Sequence, residues 1–245
     1  MKRLSLTIIL VLSVFIGINA QRTFALLAGV SNYGDTNVNL HNTTKDVKEL
    51  AQVLKNQNVS VTMLTSRYAN VENIKEKLNA IITVASADDK IIFYFSGHGM
   101  TGAICAFEKE LLPYTELINI LSKAKTKKVF CFIDACMSGS VLQSGNDGYA
   151  WGKTSASKML TFCMSSRADE YSMENDWVGN GFFTQAMIKG LRGKADTNGD
   201  KQITLMELYT YIYKDVTTRV GGNKDQQHPQ LIGPKSNYGT VLAKW

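Results

Sequence analysis

Apolar residues recur along this chain in two rhythms. Five short stretches are apolar or β-branched at nearly every position: Thr23–Val30, Val59–Leu64, Lys90–Ser96, Lys128–Asp134 and Met159–Met164. Runs of this length without alternation read as strands covered on both faces. Between and after them, apolar residues recur three and four positions apart. Thr43–Asn56 carries Val47, Leu50, Ala51 and Leu54, and Val71–Ser86 carries Ile74, Leu78, Ile81 and Ile82. Thr115–Ala124, Phe182–Leu191 and Leu205–Val216 follow the same rhythm. These segments read as amphipathic helices. Strands apolar on both faces, alternating with helices, imply an α/β fold: a three-layer αβα sandwich with a mainly parallel central sheet of about six strands.

In open α/β sheets the chemistry gathers at the carboxyl ends of the strands. Two strands here run into unusual residues. Lys90–Ser96 leads into Gly97-His98-Gly99, and Lys128–Asp134 leads into Ala135-Cys136-Met137-Ser138-Gly139-Ser140. If these strands are neighbours, His98 and Cys136 stand together on one sheet edge. A thiol becomes a strong nucleophile as thiolate, and an adjacent imidazole is the usual means of removing its proton. The amides of Gly99 and of Cys136 itself are placed to hold a carbonyl oxygen as it becomes an oxyanion. The competing reading is a core histidine and a buried cysteine. Both residues standing at strand ends, in glycine- and serine-rich turns, favours catalysis.

Other chemistries find less support. Gly97-His98-Gly99-Met100-Thr101-Gly102 matches a dinucleotide fingerprint, but it follows a middle strand and opens no clear helix. The stretch from Gly148 to Thr154 is one residue short of a phosphate loop and no strand precedes it. No Gly-x-Ser-x-Gly elbow is present. The three histidines, His41, His98 and His228, lack zinc-like spacing.

Composition narrows the setting. The chain has 245 residues, 44% hydrophobic and 20% charged, which excludes a disordered chain. Four cysteines are too few for a disulfide scaffold. The net charge of +6 is not gathered into Lys/Arg runs with interleaved aromatics, so nucleic acid is not an expected partner. Lys2 and Arg3, the apolar run Leu4–Ile18, and Ala20 before Gln21 read as a secretory signal peptide over residues 1–20. Residues 21–245 then form one catalytic domain, with no long segment expected ahead of the first strand. The apolar run is shorter than the roughly 20 residues of a spanning helix. A retained anchor is the alternative; otherwise no membrane association is expected after the leader is removed. Export to a periplasmic or extracellular space is expected, where free thiols are at risk. Cys131 and Cys163 lie inside apolar runs and read as inert core residues.

The two strand-end motifs, FYFSGHG and FIDACMSG, in this order and with His98 and Cys136 38 residues apart, resemble those of the caspase and metacaspase group of cysteine endopeptidases. ALLAGVSNY, NLHNTTKDVKELAQVLK, SSRADEYSMEN and GNGFFTQAMIKGL resemble further segments of that group. The resemblance implies His98 and Cys136 as the catalytic dyad, Gly99 and Cys136 as the oxyanion hole, and a protein or peptide substrate. It also speaks to specificity. Where caspases that cut after Asp place an Arg, this chain has Thr43; where metacaspases line a pocket for Arg or Lys, it has Asp46, Ser96 and Asp134. The plainer readings are a helix-start acid for Asp46 and a strand-end cap for Asp134.

Asp196, Asn198, Asp200, Gln202 and Glu207 follow the calcium-ligand spacing of an EF-hand loop, with Lys201 where glycine is wanted. Similar loops occur in bacterial members of the resembled group; a polar turn capping a helix is the competing reading. No cofactor is required for the chemistry itself. The polar stretch 143–158, with Lys153 and Lys158, reads as a mobile loop open to self-cleavage. The sequence thus points to a secreted Cys/His endopeptidase that cuts after Arg or Lys. Its rivals are a non-catalytic caspase-like binding module and a legumain- or gingipain-like peptidase of other specificity.

Overall fold

Strands apolar on both faces need cover on both sides, and the helices supply it. The computed structural model describes residues 20–34, 36–142, 159–169, 174–175, 180–220 and 227–245. In chain order the elements are β1 (Thr23–Gly29), α1 (Thr43–Lys55), β2 (Ser60–Thr65), α2 (Val71–Val84) and β3 (Lys90–Ser96). A small antiparallel sheet follows, β4 (Gly99–Met100), β5 (Ala103–Cys105) and β6 (Leu111–Pro113), and leads into α3 (Tyr114–Leu121). Then come β7 (Val129–Asp134), β8 (Leu160–Met164), the short pair β9 (Glu174–Asn175) and β10 (Asn180–Gly181), and α4 (Phe182–Lys189). The last elements are β11 (Gln202–Thr204), α5 (Leu205–Arg219), β12 (Gln230–Ile232) and β13 (Val241–Lys244).

Six strands form the central sheet in the order β2-β1-β3-β7-β8-β12. Every neighbouring pair is parallel except β12, which runs antiparallel to β8 at the edge. Alternate strand residues enter different layers, as the two-residue period requires. Leu26, Ala28, Phe93, Phe95, Cys131 and Ile133 pack with the apolar faces of α2 and α3. Ala25, Leu27, Ile92, Tyr94, Phe130 and Phe132 pack with α1, α4 and α5. This is the expected three-layer αβα sandwich.

Local chemistry sets the helix ends. Asn70 accepts the Asn73 amide at 2.8 Å and starts α2. That helix stops two residues short of its expected end because Ala85 turns to extended backbone, φ −73° and ψ 133°. Thr204 and Glu207 form a reciprocal capping box that starts α5. The sixth strand, Gln230–Ile232, is three residues long and only half-buried, too short for any apolar rhythm to reveal. The expected leader, apart from Ala20, and the whole of 143–158 with Lys153 and Lys158 lie outside the described residues. Among the described residues no helix is long and apolar enough to cross a membrane.

The chain leaves β1 for β2 on one side and returns to β3 on the other, so the winding reverses at β1 and β3. Crevices form at the carboxyl ends of strands at such a reversal. Gly29, Ser96 and Asp134, the last residues of β1, β3 and β7, lie in register there.

Candidate active site

His98 follows the end of β3 by two residues, and Cys136 follows the end of β7 by two. Because β3 and β7 are paired with Ser96 opposite Asp134, the two turns emerge side by side. His98 and Cys136 line one small pocket together with Leu40, Ser96, Gly97, Asp134 and Gly181. A Cβ on Gly99 would overlap the Cys136 carbonyl oxygen and come within 2.9 Å of the Ala135 Cβ. The turn after β3 therefore lies flush against Cys136, a contact that only glycine permits. The Gly97–Gly102 stretch continues into the β4–β5 hairpin, the wrong element for a dinucleotide site.

The histidine is anchored at two points. Its Nε2 lies 2.6 Å from the Val38 carbonyl oxygen. A carbonyl accepts only, so in the neutral ring Nε2 carries the proton and Nδ1 keeps the lone pair, free to act as a base. The His98 amide donates to the Tyr33 hydroxyl at 2.6 Å, and that hydroxyl donates to the Cys105 carbonyl at 3.4 Å. The Tyr33 and His98 rings stand 4.7 Å apart. Cys136 is half-buried, and the residue after it, Met137, sits at φ 51°, a left-handed conformation that costs energy for a bulky side chain. The other thiols differ. Cys131 and Cys163 are buried, and burial pushes both thiols far up from their ordinary range; burial also raises the partly exposed Cys105.

Of the acids expected in the pocket, Asp134 lines it, and Asp46 lies behind Ser96. Asp134 is 5% exposed, and its Oδ2 accepts the Thr184 hydroxyl at 2.6 Å and the Thr184 amide at 3.2 Å. Thr184 lies in the first turn of α4, where unpaired amides favour a carboxylate. Gly181, just before α4, brings its backbone so close to Asp134 that a Cβ would stand 2.7 Å from Oδ2. Asp46, fully buried in the first turn of α1, accepts the Ser96 hydroxyl at 3.0 Å. Tyr94 ties the two sides together: its hydroxyl meets that of Thr184 at 2.5 Å. Burial pushes the Tyr94 phenol up, and the Asp46 and Asp134 carboxylates push it further. All three expected pocket residues are thus gathered on the side of the site away from solvent.

The expected calcium residues form a separate loop. Lys201 takes φ 60°, the left-handed turn that glycine supplies at this position of an EF-hand, and Ile203 is fully buried beneath it. Asp196 accepts the amides of Gly199 and Lys201, and Asp200 accepts that of Gln202. Asn198 accepts the amide of Asp200, and Glu207 is turned into the Thr204 capping box. The backbone fits the calcium turn, whereas the side chains stand as in a helix-capping turn. Among the described residues no three His, Cys, Asp or Glu side chains are grouped to hold a metal ion.

Tyr33, the Val38 carbonyl, Leu40, Gly181 and Thr184 escape a reading of the sequence. Tyr33 sits in what reads as a plain turn, and a carbonyl anchor leaves no side-chain signal. Thr184 lies on the buried face of a helix, where one hydroxyl is lost among apolar neighbours.

Comparisons with known proteins bear on the family and the fold. A family model described as the caspase domain matches residues 22–236. The chain is 26% identical over 249 aligned residues to metacaspase-3 of Arabidopsis thaliana, covering 82% of this chain and 67% of that protein. The crystal structure of protein GSU0716 from Geobacter sulfurreducens superposes with a TM-score of 0.64 at 14% identity, covering 91% of this chain and 99% of the other, a likeness of fold.

Proposed function

This chain belongs to the caspase-domain family of cysteine peptidases, and from that premise we propose that it is an exported endopeptidase that cuts after Arg or Lys through a Cys136/His98 dyad. The observation that carries the reading is the shared pocket. His98 and Cys136 line it with Ser96 and Asp134, and Asp46 is bonded to Ser96.

The Cys136 thiol gives its proton to His98 Nδ1. The sulfur attacks the carbonyl carbon of the scissile bond, and the π electron pair moves to the oxygen, which the Gly99 and Cys136 amides receive. The C–N bond then breaks and His98 passes the proton to the departing amine. Water, giving a proton to His98, attacks the thioester carbon; the C–S bond breaks, the sulfur keeps the electron pair and takes the proton back from His98, and a carboxylic acid leaves. A basic side chain of the substrate enters between Asp134 and Asp46, where two carboxylates in a dry setting favour a cation and disfavour an acid.

Calcium is proposed as a structural ligand of the 196–207 loop and takes no part in the chemistry. The left-handed Lys201 supports it, because this is the backbone conformation that an EF-hand loop requires at this position. The export reading rests on the signal-peptide pattern of residues 1–20 in the sequence.

The test is a panel of fluorogenic peptides with Arg, Lys, Asn or Asp before the scissile bond. Turnover of the Arg and Lys peptides is expected. A preference for Asp would overturn the pocket reading, and turnover retained in Cys136→Ala would overturn the dyad.

A further inference from the structure

Three buried hydroxyls beneath the Cys136 turn remain unused by the chemistry described above. Ser138, Ser165 and Ser166 are each fully buried. Ser165 and Ser166 follow β8, the neighbour of β7, and their hydroxyls converge on one backbone group. The Ala135 carbonyl oxygen accepts from Ser165 Oγ at 3.1 Å and from Ser166 Oγ at 3.3 Å. The Ala135 amide in turn donates to Ser165 Oγ at 3.1 Å. Ser138 Oγ receives the Ser166 amide at 3.2 Å and lies 3.4 and 3.3 Å from the Ser165 and Ser166 hydroxyls. The Gly139 amide donates to the Ser166 carbonyl at 3.0 Å, so the serine segment is bound to the turn on both sides of Cys136.

The hydrogens can all be placed. Ser165 and Ser166 each direct their one proton to a lone pair of the Ala135 oxygen, and Ser138 directs its own to either serine oxygen. The Ala135 carbonyl is therefore doubly bonded by hydroxyls in a buried setting.

That carbonyl belongs to the same planar unit as the Cys136 amide. In a trans peptide the C=O and N–H point in opposite directions, so fixing one fixes the other. Hydrogen bonds donated to the oxygen also polarise the unit and strengthen the N–H as a donor. The need is physical: Met137, next in the chain, is held at φ 51°, and an unsupported turn would relax from it.

We infer that Ser165 and Ser166 are positioning residues for the oxyanion hole, aiming and strengthening the Cys136 N–H through the far end of its own peptide plane. The inference rests on the reading of Cys136 as the nucleophile with its amide in the oxyanion hole. It adds two residues from a different strand and places their effect on the oxygen rather than on the sulfur.

This separation gives the experiment. A peptide aldehyde with Arg at its end is attacked by the Cys136 thiolate: a C–S bond forms, the C=O π bond breaks, and the oxygen takes the electron pair and the hole's hydrogen bonds. Iodoacetamide is attacked by the same sulfur with loss of iodide, and no oxyanion forms. Ser166→Ala, Ser165→Ala and the double variant are compared with wild type in both reactions and in peptide turnover, with melting temperature as the control for folding. The expected result is a loss of about tenfold or more in kcat and in aldehyde affinity for each single variant, with KM and the iodoacetamide rate little changed. Ser166→Ala is the milder change, because the Ala135 amide keeps Ser165 as acceptor, so it serves where Ser165→Ala fails to fold. Equal losses in alkylation and aldehyde binding would mean the serines support the whole turn, and the inference fails. Unchanged kcat and aldehyde affinity in a folded Ser166→Ala would overturn it as well. A wild type whose Cys136 is not alkylated and not needed for turnover would instead overturn the underlying reading of the dyad.

Discussion

Asp134→Asn separates the charge of the pocket from its shape. Asp134 is 5% exposed, so a substrate guanidinium reaching it leaves water almost completely. Removing one partner of such a buried pair costs about 3–5 kcal/mol, and each 1.36 kcal/mol is tenfold in rate. Asp46 stays in place and recovers part of this, so the expected loss in kcat/KM for an Arg peptide is about 10²-fold. The folded state should suffer much less. The asparagine oxygen still accepts the Thr184 amide, now 3.2 Å from Oδ2, and the Thr184 hydroxyl has Tyr94 at 2.5 Å as a second partner. What is lost is the attraction of a carboxylate to the start of α4, about 0.3–1 kcal/mol, or roughly 1–4 °C in melting temperature for a chain of this size. The assay compares two peptides identical but for Arg or its uncharged isostere citrulline before the scissile bond. Wild type should favour Arg strongly, and Asp134→Asn should remove most of that preference while citrulline turnover stays within a few-fold. An unchanged Arg-to-citrulline ratio in the folded variant would refute the argument, because the charge would then have no part in selection.

Iodoacetamide should label Cys136 well ahead of the other thiols, because Cys131 and Cys163 are buried, burial raises Cys105 as well, and none of the three lines the His98 pocket; mass mapping of the adduct checks this. Millimolar calcium should raise the melting temperature by a few degrees, an effect that Asp200→Ala should abolish; no shift in wild type would leave the loop as a helix-capping turn. A pH effect resides far from the site: the Arg22 guanidinium and the Ser86 and Arg22 amides hold the Asp89 carboxyl well below the usual carboxylate range. Its folded value is depressed, so its stabilisation is present above about pH 4 and is lost as pH falls further. Asp89→Asn should cost about 2 kcal/mol at neutral pH and flatten the acid limb of a urea-midpoint profile, without altering turnover.

The parts of this structure legible in the sequence are those that repeat or that need rare residues. Val47, Leu50 and Leu54 mark α1 because burial against a sheet imposes the helical period, and KIIFYFS and KVFCFID mark β3 and β7 because a central parallel strand is covered on both faces. His98 and Cys136 stand out because few groups can remove or surrender a proton near neutrality. β12 and the β4–β6 sheet have three residues per strand or fewer, below any period, and are fixed by pairing with distant backbone. Tyr33 and Thr184 act through single hydroxyls, and Ser165 and Ser166 read only as a short polar end to a strand. Their roles arise from which backbone atoms the fold brings within 3.5 Å, a matter of tertiary geometry with no local signature.

The same geometry bears on why the substrate residue should be long. His98 follows Ser96 by two residues in the turn after β3, Cys136 follows Asp134 by two in the turn after β7, and Ser96 and Asp134 are in register. Two residues of chain, here in turns, span at most on the order of 6.6 Å. On the proposed reading, Asp134 thus lies within reach of an extended Lys or Arg side chain whose carbonyl carbon is at Cys136. With its carbonyl carbon at Cys136, a basic residue can bring its charge down to Asp134 and to the Ser96–Asp46 pair. An aspartate in the same position ends short, and its charge would meet two carboxylates. On the proposed pocket, reach and sign would select the same residues. Asp46 belongs to this set although it comes from α1, because the helix start packs on the end of β1 and hands its first-turn carboxylate to Ser96 at 3.0 Å. Shortening the reach while keeping the charge, with ornithine or diaminobutyrate in place of Lys, should lower kcat/KM step by step. A diaminobutyrate peptide cut as fast as the Lys peptide would place the charge partner nearer the sulfur than Asp134.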